Sequence, residues 1–413
     1  MIDFRRYTLA NGLRVIHSYD PSVSMAAVDV LYDTGARDER RTLTGIAHLF
    51  EHLMFGGSAN VADFDIEMSN AGGRTNAWTS SDFTNFYDVL PAANIETAMR
   101  LESDRMLALS FNPEGLRVQQ QVVIEEFKQT CLNAPYGDLM HHLRRAAYAP
   151  GHPYSWPVIG LKPEHVAAAT VDDIRDWFYA HYAPDNAVLA ITGAVDYDCG
   201  RDMVEKWFGD IPRRNPAPRP VIDPGFPSHT VRVEARGNAP VPCVVIAVPM
   251  DRYGTADYYA ADCITDILSA GRSSRIYRDL VVGGDGSIID ADASIIGSED
   301  AGLLLMTARL SEGAAPQAAI EALLDELRGL AGGRPVTPHE LERTLASFET
   351  TFALGNLDIS ARAFNLALAE MHGENINDTV ARQRLITGAD IRRVAAALAL
   401  RPRVELVYTA RNS

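Results

Sequence analysis

Two histidines four positions apart with a glutamate between them, His48-Leu49-Phe50-Glu51-His52, are the stretch of this chain best suited to chemistry. On an α-helix of about 3.6 residues per turn, this spacing sets all three polar side chains on one face. With Ile46 at zero and roughly 100° per residue, Leu49, Phe50, Leu53 and Met54 fall within about 80° of it, while His48, Glu51 and His52 gather near 200°. Such a helix is apolar on one side and carries two nitrogen donors and an acid on the other. Neutral imidazoles bind zinc, and a carboxylate held beside the ion can take a proton from water. The order His-x-x-Glu-His reverses the commoner His-Glu-x-x-His and is the inverzincin form. A five-residue pattern also arises by chance, and the bland reading is a helix with two surface or core histidines.

The flanking residues separate the two readings. The run is opened by Thr44 and closed by Gly56-Gly57. Gly45-Ile46-Ala47-His48-Leu49-Phe50-Glu51-His52-Leu53-Met54-Phe55-Gly56-Gly57-Ser58 resembles the metal-binding segment of the pitrilysin/insulinase (M16) peptidases. That family includes insulin-degrading enzymes, mitochondrial processing peptidases and short bacterial members. The resemblance implies a zinc metalloendopeptidase with one zinc per chain, held by His48 and His52, and Glu51 as the catalytic base. It also implies an α+β fold of two homologous α/β-sandwich domains, each a mostly antiparallel sheet covered by helices, together half of an M16 clamshell.

A catalytic zinc usually keeps three protein ligands and leaves one position open. In Val122-Val123-Ile124-Glu125-Glu126-Phe127 a double acid ends an apolar run on a predicted helix. M16 members carry their glutamate ligand in such a segment, generally as the second acid, which here is Glu126, 126 − 52 = 74 positions past His52. Glu125 then points elsewhere on the helix. His141-His142 is a competing donor pair, but adjacent helical residues face different ways. Seven positions before the ligand many members carry a supporting glutamate. This chain has Gln119 there, which can hydrogen-bond but brings no charge.

Ala71-Gly72-Gly73-Arg74-Thr75-Asn76-Ala77-Trp78-Thr79 resembles the family's Gly-x-x-Asn-Ala-x-Thr edge strand, along which substrate lies as an added strand. An edge strand offers unpaired N–H and C=O groups that read peptide backbone. The resemblance puts Asn76, Ala77 and Trp78 against the peptide, and Phe55, taken to lie on the metal face of its helix, in a side-chain pocket. His152-Pro153-Tyr154-Ser155-Trp156-Pro157 looks like a family loop without assignable chemistry. Gly271-Arg272-Ser273-Ser274-Arg275-Ile276-Tyr277 resembles the matching segment of the second domain. It lacks the lysine ending of a P-loop, which argues against a phosphate site. Active members often carry an Arg and a Tyr just beyond, reaching over to hold substrate. Val281 to Ile288 contains neither.

Length and composition frame these readings. A chain of 413 residues exceeds one ordinary core, so two domains of about 200 residues are expected. A net charge of −16 repels nucleic acid. The most apolar run, 239–250, is too short for a bilayer and is interrupted by Pro240 and Pro242. Nothing at the start reads as a targeting segment, so the reading is a cytoplasmic chain, or a periplasmic one if a leader has been removed. Four scattered cysteines suit a reducing compartment.

Six prolines in residues 211–229 mark a linker. The expected domains are therefore 1–212, carrying the zinc motif, and 230–413, M16-like without it, joined by the Pro-rich linker 213–229. The halves echo one another. Thr170-Val171-Asp172-Asp173-Ile174 leads to the strand-like 187–191, and Thr387-Gly388-Ala389-Asp390-Ile391 to 404–408, an offset of 387 − 170 = 217 residues. Each reads as a capped helix followed by a buried strand. The resemblance further implies peptide substrates and two chains around a closed chamber. That dimer is a homodimer, or a heterodimer with a related M16 chain that supplies the Arg/Tyr clamp. The alternatives are a non-catalytic M16-like scaffold or partner subunit, and a binding module with a structural zinc.

Overall fold

The strand-like stretches 187–191 and 404–408 form inner strands of two sheets. The structure, a computed structural model, describes residues 1–410. The first sheet contains β1 (Arg5–Thr8), β2 (Arg14–Tyr19), β3 (Met25–Tyr32), β4 (Arg74–Thr79), β5 (Thr84–Pro91) and β6 (Ala187–Gly193), in the order β1-β2-β6-β3-β5-β4. The second contains β7 (Val231–Gly237), β8 (Cys243–Met250), β9 (Ile288–Ile296), β10 (Gly302–Leu310) and β11 (Val404–Ala410), in the order β7-β11-β8-β10-β9. Among the described residues, only β2 with β6 and β7 with β11 run parallel. Without β1 the two orders are the same, with β6 and β11 in equivalent central places. The duplication read from Thr170 and Thr387 is thus a duplication of topology. Both threonines close a reciprocal capping box, with Asp173 and Asp390, ahead of the helices Val171–His181 and Gly388–Leu400.

Both sheets bury both faces. Along β3, Val28, Val30 and Tyr32 enter one core, and the alternate residues Ala27 and Leu31 enter another. Along β8, Val244, Ile246 and Val248 face one core and Val245 and Ala247 the opposite one. A sheet apolar on both sides needs helices on both. The first sheet receives its second cover from the helix Ile359–Met371, through Ala363, Leu366 and Ala367. The second sheet receives its own from Leu139–Ala147, through Leu143 and Ala147.

The compact units are therefore not the consecutive stretches 1–212 and 230–413 expected from the linker. One unit is Met1–Glu125, Val158–Pro220 and Thr351–Thr379; the other is Glu126–Pro157, Val221–Thr350 and Val380 onwards. Each half of the chain gives one covering helix to the other half's sheet. A leucine that loses its water contributes about 1.5–3 kcal/mol, which favours this exchange over leaving either sheet face bare. The proline-rich stretch still contains one crossing, at 220/221. Among the described residues no helix is long and apolar enough to cross a membrane.

Candidate metal centre

The histidine helix spans Ile46–Leu53 and starts at Gly45, not at Thr44. Gly45 adopts φ 88°, and a Cβ there would meet the Ile159 carbonyl oxygen at 2.9 Å, so glycine is required on both counts. Thr44 instead ties two loops: its hydroxyl meets His165 Nδ1 at 2.8 Å and accepts from the Leu161 N–H at 2.9 Å. Capping comes from Glu39, which is 6% exposed. Its Oε2 accepts from the Gly45 N–H at 3.0 Å and its Oε1 from the Ala47 N–H at 2.9 Å. A carboxylate there satisfies two orphan donors and complements the helix dipole.

The helix places its two faces as the periodicity predicts. Ile46, Ala47, Leu49 and Phe50 are buried, with Phe50 against Tyr182 at 4.3 Å between ring centroids. His48 and His52 are half-buried, and their Nε2 atoms stand 3.3 Å apart. Two facing imidazole nitrogens need a proton or a cation between them, because two lone pairs would repel.

Glu126 lies in the last turn of the helix Pro113–Phe127, and its carboxylate joins the histidines so that the three donor atoms lie within 4.8 Å of one another. Among the described residues this is the group of three donors able to hold a metal ion. Two nitrogens about 2.0–2.1 Å from a tetrahedral zinc stand about 3.3–3.4 Å apart, which matches the observed separation. The donor set His, His, Glu with an open side also fits a catalytic zinc. Glu125 is exposed, and His141 and His142 join no such cluster. Gln119 is half-exposed two turns earlier. Its neighbour Gln120 donates to the carbonyls of Val166 and Ala169.

Glu51, 9% exposed, accepts from the Thr79 hydroxyl at 2.5 Å. Thr79 ends β4, which is the edge of its sheet and pairs with β5 alone. The sequence marked Thr79 only as the last position of a motif. Its role as the partner of Glu51 depends on a contact across 28 positions that no local pattern encodes.

The edge strand can be phased. The Ser80 N–H donates to the Phe83 carbonyl, so by alternation Trp78 and Asn76 are also hydrogen-bonded to β5. The N–H and C=O groups of Thr75 and Ala77 consequently aim at the free edge. The Asn76 side chain covers one of them, accepting from the Ala77 N–H at 2.9 Å. Trp78 lies edge-on to Phe364, with centroids 5.1 Å apart. Phe55 lies beyond the end of the histidine helix, half-buried against Phe64 and Phe86 and not on the metal face as expected.

The other motifs resolve into packing. In 152–157, the His152 ring accepts from the Tyr154 N–H, and Tyr154 and Trp156 are fully buried. Arg275 pairs with Glu340 and donates to the carbonyls of Arg334 and Pro335.

Residues 14–158 match the family model described as insulinase (peptidase family M16), and residues 168–348 match the peptidase M16 inactive domain. The chain belongs to the peptidase M16 family. An uncharacterized zinc protease of Bacillus subtilis is 28% identical over 67% of this chain, a match that spans 66% of that relative, just under two thirds of its length. An uncharacterized zinc protease of Streptomyces coelicolor is 28% identical over 98% of this chain and 89% of its own. The crystal structure of a protease from Helicobacter pylori shares the fold, with a TM-score of 0.90 over 99% of this chain and all of that one at 24% identity.

Proposed function

We propose that this M16 chain is a zinc-dependent endopeptidase acting on extended, unfolded peptides. The observation that carries the reading is the convergence of His48, His52 and Glu126 beside a Glu51 whose carboxylate is held by an edge-strand hydroxyl. His48 and His52 through Nε2, and Glu126 through its carboxylate, would hold one zinc. Zinc bound there supplies Lewis acidity, polarising the scissile carbonyl and making water easier to deprotonate. Glu51 accepts that proton and returns it to the leaving amine. The outward N–H and C=O groups at Thr75 and Ala77 hold the peptide as an added strand. For that, Asn76 releases the Ala77 N–H it covers in the free protein. Backbone recognition of this kind tolerates many sequences, but requires a substrate without its own tertiary structure.

The reading extends to a dimer, with two chains facing around a chamber. The stretch 281–288 lacks the Arg and Tyr expected of a substrate clamp, which favours a related M16 chain as the source of that pair. The experiment is digestion of a mixed peptide pool by zinc-loaded wild type and Glu51→Gln, read by mass spectrometry alongside metal analysis. The proposal predicts equimolar zinc in both proteins and cleavage by the wild type alone. Equal cleavage by both would refute it.

A further inference from the structure

The proline-rich stretch after Ile211 contains an arginine, Arg219, that reaches back to the loops holding the histidine helix and Glu51. Arg219 donates through Nε to Asp38 Oδ1 at 3.2 Å and through Nη2 to Asp38 Oδ2 at 3.0 Å. The same Nη2 donates to the Asp82 carbonyl at 2.8 Å, and Nη1 pairs with Asp33 at 2.7 Å. Arg37, buried at 5% exposure, completes the knot. It pairs with the Asp82 carboxylate at 3.3 Å and donates to the Pro220 carbonyl at 3.2 Å.

Two of these anchors, Asp38 and Asp82, lie within three residues of groups that position the metal centre. Asp38 precedes Glu39, whose carboxylate caps the histidine helix at Gly45 and Ala47. Asp82 lies in the tight connection after β4, where Ser80 Oγ accepts from the N–H groups of Asp82 and Phe83. That connection directly follows Thr79, the partner of Glu51. The two loops are also joined to each other, because the N–H groups of Ala36 and Arg37 donate to the carbonyls of Ser80 and Ser81. A single guanidinium thus spans the loop that caps the helix and the hairpin that orients the base. Its planar fork suits this task, since a lysine could not address three acceptors in fixed directions.

We propose that Arg219 is a positioning residue of the metal centre, fixing through Asp38 and Asp82 the Glu39 cap and the Thr79–Glu51 contact. This deepens the peptidase reading and rests on it for the catalytic consequence. The effect on the helix cap stands without it. A built-in comparison is Arg213, in the same stretch, which pairs with Asp185 at 2.9 Å and touches neither loop.

The test compares Arg219→Ala with Arg213→Ala by amide hydrogen exchange and by kcat normalised to the folded fraction. In Arg219→Ala, the Gly45 and Ala47 amides should exchange about tenfold faster while central amides of β3 and β6 keep their wild-type rates. Its kcat should fall by about tenfold with KM little changed. Arg213→Ala should match the wild type in both. A uniform rise in exchange over the whole unit, or equal behaviour of the two variants, overturns the proposal. Should Arg219→Ala fail to fold, Arg219→Lys is judged by the same local criterion. If the wild type cleaves no peptide either by itself or together with a related M16 chain that supplies the Arg/Tyr pair, the peptidase reading falls and the exchange measurement alone decides the coupling.

Discussion

Replacing Thr79 by valine removes one hydroxyl and leaves the shape of the side chain. In the wild type that hydroxyl donates to Glu51 Oε2 at 2.5 Å, and Glu51 is 9% exposed, so water has little access to take its place. Hydrogen bonds to a charged group contribute about 1.5–3 kcal/mol. If the bond serves to aim the base, its loss falls on the transition state, and each 1.36 kcal/mol is tenfold in rate. The expected outcome for Thr79→Val is a drop in kcat of roughly ten- to a hundredfold. Zinc content should stay equimolar, because Thr79 is not among the three donors. Valine suits a strand, so the sheet should retain its stability. Thr79→Ser keeps the donor and should recover most of the rate. The assay is steady-state cleavage of an internally quenched peptide, with metal analysis of the same samples. A Thr79→Val enzyme within twofold of wild-type kcat would refute the assignment of Thr79 as the residue that orients Glu51.

Three further outcomes follow from the same geometry. Glu126→Gln removes the anionic ligand, so the protein should lose zinc to a chelator far faster than the wild type, as metal analysis after dialysis will register; retention at the wild-type rate would exclude Glu126 as a ligand. Glu39→Ala uncaps the histidine helix at Gly45 and Ala47 and leaves buried donors unpaired, a loss of about 2–4 kcal/mol measurable by chemical denaturation. Asp29 is fully buried, and desolvation pushes its carboxyl up to about 8 against only a partial offset from the Asn85 hydrogen bond. The folded state therefore holds a proton that the unfolded chain has released between about pH 4 and pH 8, and stability falls as pH rises through that window. Asp29→Asn should abolish this slope, gaining up to about 1.4 kcal/mol per pH unit relative to the wild type. Parallel melting curves at pH 5 and pH 8 with an unchanged difference between the two proteins would contradict it.

What could be read from the chain was whatever local periodicity encodes. The four-residue spacing of His48 and His52 places both on one helical face, and the structure brings their nitrogens together. The threonine caps at 170 and 387 announce two copies of one topology because a capping box is complete within four residues. Glu126 emerged from a resemblance, since its own neighbourhood offers two equivalent acids. The structure separates them by burial: Glu125 is exposed and Glu126 half-buried. Contacts between distant segments had no such signature. Glu39 sits in Arg37-Asp38-Glu39-Arg40-Arg41, which looks like a solvated charge run, yet it is a buried cap. Thr44 looks like the helix cap, but the left-handed turn at Gly45 hands that role to Glu39. The exchange of the helices Leu139–Ala147 and Ile359–Met371 escapes periodicity altogether, because an amphipathic helix reports that it is covered and not which sheet covers it.

Crystals of the zinc-loaded chain, with diffraction recorded on either side of the zinc absorption edge, test the central claim most directly. The account predicts one strong anomalous peak per chain, about 2.0–2.2 Å from His48 Nε2, His52 Nε2 and a carboxylate oxygen of Glu126, with Glu51 beside it and not bound to it. A peak gripped by other side chains, or none between these three, would contradict the account.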